Sequence, residues 1–410
     1  MDKYLWLGYC LSESRRKDIL SKGIPLLSAH RTQSTLLEAL RQSCGCAFST
    51  INLPGVPTYP QFPGLFIRKE HWTSDQAEHF SVGYLNLKYI TIISRQIGAV
   101  SAAMRWCRTV QPGQRPVIFV YSMVSAFMLA ALRIKKKHPD TLIVQLVPDL
   151  PEYMDLHMSL MKKMLKRLDA RVIKRCRKAV DKWVLFSRHM AERLGLEAGS
   201  WIVMEGCTDS SGMTACPDSA PSPTKMILYS GKYDVSYGIP ELLQAFSALD
   251  MPDIELWFVG GGEAQPLIDS AAARDPRIKN LGYIENQARL REIQSHAALL
   301  VNVRDAGNPV FTYSFPSKLL DYMASHVPVL TTALPGIPEE YLEYLLIAKD
   351  NSPESIKHAI RQALSLPESE RRSLAQRAFD FAAREKSCYV QARRILNFIH
   401  GGTGYAAPPA

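Results

Sequence analysis

Three cations, one carboxylate and several glycines stand at spacings that suit a phosphorylated, hydroxyl-rich ligand. In Phe315-Pro316-Ser317-Lys318-Leu319-Leu320-Asp321 a Pro-Ser loop leads into a helix read over Lys318–Ser325, with Leu319, Leu320 and Met323 at helical spacing. A helix start carries free N–H groups and partial positive charge, so it attracts phosphate. Lys318 adds a full charge beside it, and Asp321, about one turn along the same face, can accept from sugar hydroxyls. Elsewhere Gly231-Lys232 ends an apolar run, Gly238 opens the next helix, and Gly260-Gly261-Gly262-Glu263 ends a second run. Glycines at such ends let a backbone approach a ligand closely. Arg304, just past Val301-Asn302-Val303, suits bidentate phosphate binding. Each feature also has a plainer reading: a tight turn, a solvated loop arginine, a scaffold helix with a solvated lysine and aspartate. The glycine triplet is not the G-x-G-x-x-G dinucleotide fingerprint.

Other chemistries leave no trace. The sequence has no Asp-x-Asp pair of the kind that holds a divalent ion on a diphosphate, no His/Cys cluster and no Gly-x-Ser-x-Gly elbow. Charge on a departing phosphate then falls to Lys232, Arg304, Lys318 and helix N-termini, an electrostatic device that needs neither metal nor cofactor.

The elements that must position these residues alternate along the chain. Strands are predicted at Tyr4–Tyr9, Val117–Tyr121, Leu142–Val147, Trp183–Ser187 and Trp201–Met204, with helices at Gln33–Arg41 and Ala126–Lys137 between them. Between Cys207 and Thr224 serine, threonine and proline replace the apolar pattern, as in an exposed linker. The alternation then resumes with strands at Met226–Gly231, Glu255–Val259, Ile278–Leu281, Ala298–Val301 and Val329–Thr332. Helices 353–365 and 368–399 close the chain. The expected class is therefore α/β, two parallel sheets in tandem. Its parts are an N-terminal domain over 1–205, a linker over 206–224, a second domain over 225–380 and a helical tail over 381–410. Ligands of such sheets bind at the carboxyl edge, where Gly231, Gly261, Arg304 and Lys318 fall.

An apolar content of 47% with 21% charged residues marks a soluble globular chain. No signal peptide or membrane span is expected, and eight scattered cysteines suit reduced thiols in a cytoplasmic protein. Residues 1–200 hold 30 Lys+Arg against 15 Asp+Glu, so this half is expected to face something anionic. Leu160–Lys182 is the most basic stretch. Met161, Met164, Leu165, Leu168, Val172, Ile173, Cys176 and Val180 share one helical face. The rest includes Lys162, Lys163, Lys166, Arg167, Lys174, Arg175, Arg177 and Lys178. An anionic membrane surface and a plain solvated face both fit. Nucleic acid fits less well, because no recognition signature accompanies the charge. At about 1 kcal/mol per basic residue near the surface, roughly five contacts give a dissociation constant only somewhat below millimolar.

The run Phe315–Ser325, continuing through Val327-Pro328-Val329-Leu330-Thr331-Thr332 to Leu334-Pro335-Gly336-Ile337-Pro338-Glu339-Glu340-Tyr341, resembles the C-terminal signature of group 1 retaining glycosyltransferases. Ser230-Gly231-Lys232, Val259-Gly260-Gly261-Gly262, Leu281-Gly282-Tyr283-Ile284 and Val147-Pro148-Asp149-Leu150-Pro151 support it. It looks most like the branch that builds bacterial capsular and exopolysaccharides. The resemblance implies two Rossmann-like domains facing across a cleft (GT-B-like), with the nucleotide sugar on the C-terminal domain and the acceptor on the N-terminal one. It implies a tail helix that crosses back to the first domain, and metal-independent transfer with retention.

By residue, the resemblance puts ribose hydroxyls on Asp321, the nucleotide base at Tyr283 and Ile284, and the diphosphate on Lys232 beside Gly231; Ser317 and Lys318 are donor-binding candidates at the helix start, and Asp149 is the candidate acceptor-side polar group. Two positions depart from the family's pattern. Tyr313 stands where the first glutamate of its Glu-x7-Glu pair belongs, and Tyr237 stands about where its second basic residue belongs. Lys318 and Arg304 are the candidates to replace the missing charge. The leading expectation is a cytoplasmic enzyme, peripheral at the inner face of the membrane, acting on a nucleotide sugar and a lipid-linked glycan. A catalytically silent sugar-nucleotide-binding homologue in an assembly complex is the alternative, and a sugar-nucleotide epimerase a weaker third.

Overall fold

Apolar runs become buried parallel strands wherever helices cover both faces of a sheet, since nothing on either face then meets water. The computed structural model describes residues 1–22, 28–153, 160–208 and 224–402. The part of the expected linker at 209–223 lies outside the described residues. The chain divides into two units, Met1–Glu205 with Cys388–Ala410, and Gly206–Ser387.

The first unit begins with β1 (Asp2–Gly8), α1 (Glu13–Ser21), α2 (Ser28–Cys44), β2 (Phe48–Asn52), β3 (Phe66–Ile67), β4 (Glu70–Ser74), β5 (Ala77–Ser81) and β6 (Tyr84–Leu85). It continues through α3 (Thr91–Trp106), β7 (Arg115–Tyr121), α4 (Ser125–Lys137), β8 (Leu142–Val147), α5 (Leu160–Arg177), β9 (Lys182–Leu185), α6 (His189–Leu194) and β10 (Trp201–Val203). Its main sheet runs β10-β9-β8-β7-β1-β2-β5-β4. All pairs are parallel except β4 on β5. Leu5, Trp6 and Leu7 of the central β1 are fully buried, and Tyr4 stacks on Phe48 of β2 at 4.7 Å.

The second unit holds β11 (Lys225–Lys232), α7 (Ile239–Ser247), β12 (Ile254–Gly261), α8 (Gln265–Arg274), β13 (Ile278–Asn280), α9 (Gln287–Ser295) and β14 (Leu299–Asn302). Then come α10 (Lys318–Met323), β15 (Val329–Thr332), β16 (Leu346–Ala348), α11 (Pro353–Ser365) and α12 (Glu368–Glu385). The order β13-β12-β11-β14-β15-β16 is parallel throughout. Chain direction across the sheet reverses between β11 and β14. That leaves a crevice at their carboxyl ends, the position where open α/β sheets bind ligands. The α/β class with parallel sheets in tandem is thus as the sequence led us to expect.

Several details differ. The tail read as one helix over 368–399 is two, because Lys386 is buried and ion-pairs with Glu340 at 2.6 Å, ending α12. The last helix, α13 (Cys388–His400), packs on α2 within the first unit. The helix expected over Lys318–Ser325 stops at Met323. Of the apolar face of α5, Met164 and Leu168 are 52% and 47% exposed, while Ile173 and Cys176 face the core. Lys182 lies in β9, not in the basic helix. The thiols are not all reduced either: Cys207 and Cys388 are disulfide-bonded, and their chain neighbours Thr208 and Ser387 form a bridge. Cys10, Cys44, Cys46, Cys107 and Cys176 are free.

Candidate functional site

At the crevice of the second unit the backbone of β11 and β12 comes together more closely than side chains allow. Gly260 has φ +151°, and a Cβ there would lie 1.8 Å from the Gly231 carbonyl oxygen. Gly231 in turn lies under the stem of Lys318, whose Cδ and Cε would sit 3.2 Å from an added Cβ. A lysine fourteen or more residues from any other site cation in sequence is thereby laid across the end of the first strand. A Cβ on Gly261 would meet nothing within 4 Å, so packing places no demand on that position.

Tyr322 fixes this arrangement. Its buried hydroxyl accepts from the Ser230 N–H and donates to the Ser230 carbonyl, both at 2.8 Å. Gln294 of α9 donates to the Ser230 hydroxyl at 3.0 Å. Burial pushes the Tyr322 phenol up to about 12, so it stays a neutral donor and acceptor. Helix α10 is thus tied to the strand end it serves by side-chain bonds to backbone. Ser317 supplies no cap, because its own backbone is helical and its side chain makes no capping bond. With only six residues in α10, the positive charge beside Gly231 comes mainly from Lys318 and little from the helix dipole.

Lys232 ion-pairs with Asp234 at 2.6 Å. The hydrogen bond to Asp234 raises the lysine above its ordinary value. Burial alone would raise Asp234, but its bonds from Lys232 and Ser236 outweigh that and hold it below the usual carboxylate range. Arg304 is only 8% exposed. Its guanidinium lies 4.1 Å over the Tyr237 ring and 5.2 Å from that of Phe311, and its Nε donates to Asn302 at 3.2 Å. The Lys232 ammonium stands 6.0 Å from the same Tyr237 ring. Tyr237, at the position of the missing basic residue, therefore serves as the platform on which Arg304 rests.

The structure brings Gly231, Lys232, Arg304 and Lys318 together at one sheet edge, with the half-buried Asp321 in the first turn of α10. Tyr313 is half-buried and closes a 3-10 turn over Pro309–Thr312, its N–H donating to the Val310 carbonyl at 3.1 Å. Gly336 donates to the Phe311 carbonyl at 2.9 Å and so fastens this turn to the Leu334-Pro335-Gly336 run. Tyr283 is 58% exposed beyond β13, and Ile284 packs partly on the core beside α10. Asp149 belongs to the first unit, past the end of β8, where its charge and, more strongly, burial raise the Tyr121 phenol. Of the basic helix, Arg167, Lys174, Arg175 and Lys178 are exposed and Lys166 is half-buried. The side chains of Lys162 and Lys163 lie outside the described residues. Arg177 does not face outward: it donates to the Leu194 carbonyl and lies 5.7 Å from the Trp183 ring, and burial lowers its pKa. Sequence reasoning missed Ser230, Asp234, Gln294 and Tyr322. The only sequence trace of Tyr322 is an aromatic in the helix directly after Asp321.

Residues 218–381 match the family described as glycosyl transferases group 1. The second unit carries a group 1 glycosyltransferase domain. The chain is accordingly an enzyme of the glycosyltransferase class, and the edge of β11, β14 and α10 lies inside its group 1 domain. Solved structures with the same fold include a sucrose-phosphate synthase from Thermosynechococcus elongatus, 15% identical, with a TM-score of 0.70 over 98% of this chain and 100% of that one. An E. coli structure described as trehalose-6-phosphate bound with UDP-2-fluoro glucose is 9% identical, with a TM-score of 0.66 over 96% and 98%. A lipopolysaccharide outer core galactosyltransferase is 12% identical, with a TM-score of 0.61 over 97% and 99%. At such identities the likeness is one of fold. No curated protein sequence matches the chain.

Proposed function

We propose that this glycosyltransferase moves a sugar, with retention, from a nucleoside diphosphate sugar to a hydroxyl of a lipid-linked glycan at the cytoplasmic face of the membrane, in surface polysaccharide synthesis. The observation that carries the donor half is the gathering of Lys232, Arg304 and Lys318 around Gly231 at the switch point of a six-stranded parallel sheet. Three cations on backbone that glycines leave uncovered fit a diphosphate, which carries its charge on several oxygens. In the transfer, the bond between the sugar's anomeric carbon and the diphosphate oxygen breaks as the bond to the acceptor oxygen forms on the same face. The acceptor's proton passes to the departing diphosphate, and the cations stabilise the charge left there, so the reading is metal-independent. Asp321 accepts from the ribose hydroxyls, and Tyr283 covers the base.

The lipid-linked acceptor rests on the family resemblance and on the basic first half of the chain. Among the described residues no helix is long and apolar enough to cross a membrane, so attachment in this reading is peripheral. The test incubates purified protein with UDP-, GDP- and dTDP-sugars, with EDTA, and with either membrane extract or a soluble sugar phosphate. Sugar phosphate is included because one structural neighbour is a sucrose-phosphate synthase. Nucleotide release only with membrane extract supports the proposal, and release only with sugar phosphate overturns the acceptor. Tight donor binding without release in any arm favours the silent homologue that Tyr313 suggests.

A further inference from the structure

Helix α3 carries isoleucine where a solvated helix carries polar residues. Its inner face is small and packed: Ala99, Ala102, Ala103 and Trp106 are buried. On the opposite face Ile90, Ile93 and Ile97, spaced three and four apart, are 48%, 54% and 66% exposed. Beside them runs the β3–β6 ribbon, tied to α3 where the Leu85 N–H donates to the Ser94 hydroxyl at 2.7 Å. Phe66, paired opposite Leu85, is 69% exposed. On the other side α5 joins the same surface, because Gln96 of α3 donates to Asp169 of α5 at 3.3 Å. The chain neighbours of that contact are Ile97 and Leu168, both exposed. Ile90, Ile93 and Ile97 exposed on one helix face, with the exposed Phe66 on the ribbon tied to that helix, mark an interaction surface.

Charge identifies the occupant. Arg68, Lys69 and Lys88 are exposed around the ribbon and the start of α3, and Arg167, Arg171 and Lys174 are exposed on α5. Asp169, the carboxylate between the two helices, is drawn inward by Gln96 and raised by burial. We propose that this face of the first unit docks on an anionic lipid bilayer, with Ile90, Ile93, Ile97 and Phe66 entering the headgroup–acyl boundary and the flanking basic residues on lipid phosphates. Basic residues alone give weak attachment, and the exposed isoleucines add an apolar anchor to it. The inference rests on the peripheral-membrane reading of the acceptor, but vesicle binding tests it without any transfer reaction.

The test is co-sedimentation of the full chain with vesicles of phosphatidylcholine alone, or with about a third phosphatidylglycerol. Wild type is compared with Ile93→Ser/Ile97→Ser and with Arg167→Glu/Arg171→Glu, and thermal unfolding and UDP affinity are followed in each. Wild type is expected to bind the anionic vesicles only. Each double variant should lose about tenfold or more in partition coefficient at unchanged unfolding temperature and UDP affinity. Binding that survives both isoleucine changes overturns the proposal. So does absence of wild-type binding together with a change in oligomeric state in Ile93→Ser/Ile97→Ser, which makes the face a contact between copies of this chain. Donor turnover without vesicle binding would sink the docking surface and leave the transfer reading standing.

Discussion

Replacing Arg304 by alanine tests whether a buried arginine on an aromatic platform has taken over the role of a lysine. Arg304 is 8% exposed, its guanidinium lies 4.1 Å over Tyr237, and its Nε donates to Asn302. A charge-assisted hydrogen bond to a phosphate oxygen contributes about 1.5–3 kcal/mol. Arg304→Ala is therefore expected to weaken UDP binding by about 10- to 150-fold. Loss of the stack on Tyr237 also lowers stability by about 1–2 kcal/mol, so urea unfolding is followed in parallel and affinity is measured where the variant is fully folded. Arg304→Lys keeps the charge and loses the plane, and an intermediate affinity is expected. The decisive variant is Tyr237→Lys in the Arg304→Ala background, which returns a lysine to the position the family pattern uses. Calorimetric titration with UDP should show recovery of most of the lost affinity. If Arg304→Ala binds UDP as wild type does, or if the lysine restores nothing while both proteins are folded, the charge-replacement argument fails.

Three further outcomes follow from the same geometry. Lys318→Ala should weaken UDP binding by about tenfold or more with little change in stability, and unchanged affinity removes Lys318 from the site. Gly260→Ala puts a methyl 1.8 Å from the Gly231 carbonyl at φ +151°. It should cost about 3 kcal/mol or more, read as a lower urea midpoint, and an unmoved midpoint refutes the close approach of β11 and β12. Asp169, raised by burial, favours its protonated form in the fold, so its stability contribution is lost as pH rises through its folded pKa. Asp169→Asn should then unfold at a higher temperature than wild type at pH 7, with the gap closing near pH 4. A gap that is constant with pH would show that the carboxyl does not titrate differently on folding.

Much of the frame was legible because strand and helix signals are local. Leu142–Val147 and Val329–Thr332 are strands over the predicted residues, since apolar β-branched runs bounded by turns have few alternatives inside a covered sheet. The same logic failed where partners outside the segment decide. Periodicity grouped Met164 and Leu168 with Ile173 and Cys176 on one helical face, yet the first two are exposed and the last two buried, because one side of a helix can be apolar without protein packed along its whole length. Helix α3 went unread, its alanine-rich inner face offering little contrast with its isoleucines. The tail was read as one helix because the pairing of Lys386 with Glu340 is 46 residues long in sequence.

For the site, residue types and spacing by themselves determined that Gly231, Lys232, Arg304, Lys318 and Asp321 stand at strand ends and helix starts, because parallel α/β units place those points on one edge. Only the tertiary structure decided which of them meet. Sheet order sets β14 beside β11, Tyr322 ties α10 to Ser230, and Arg304 comes to rest on Tyr237. These are contacts between residues up to 92 positions apart, fixed by packing and by bonds to backbone, and a linear pattern carries no record of them.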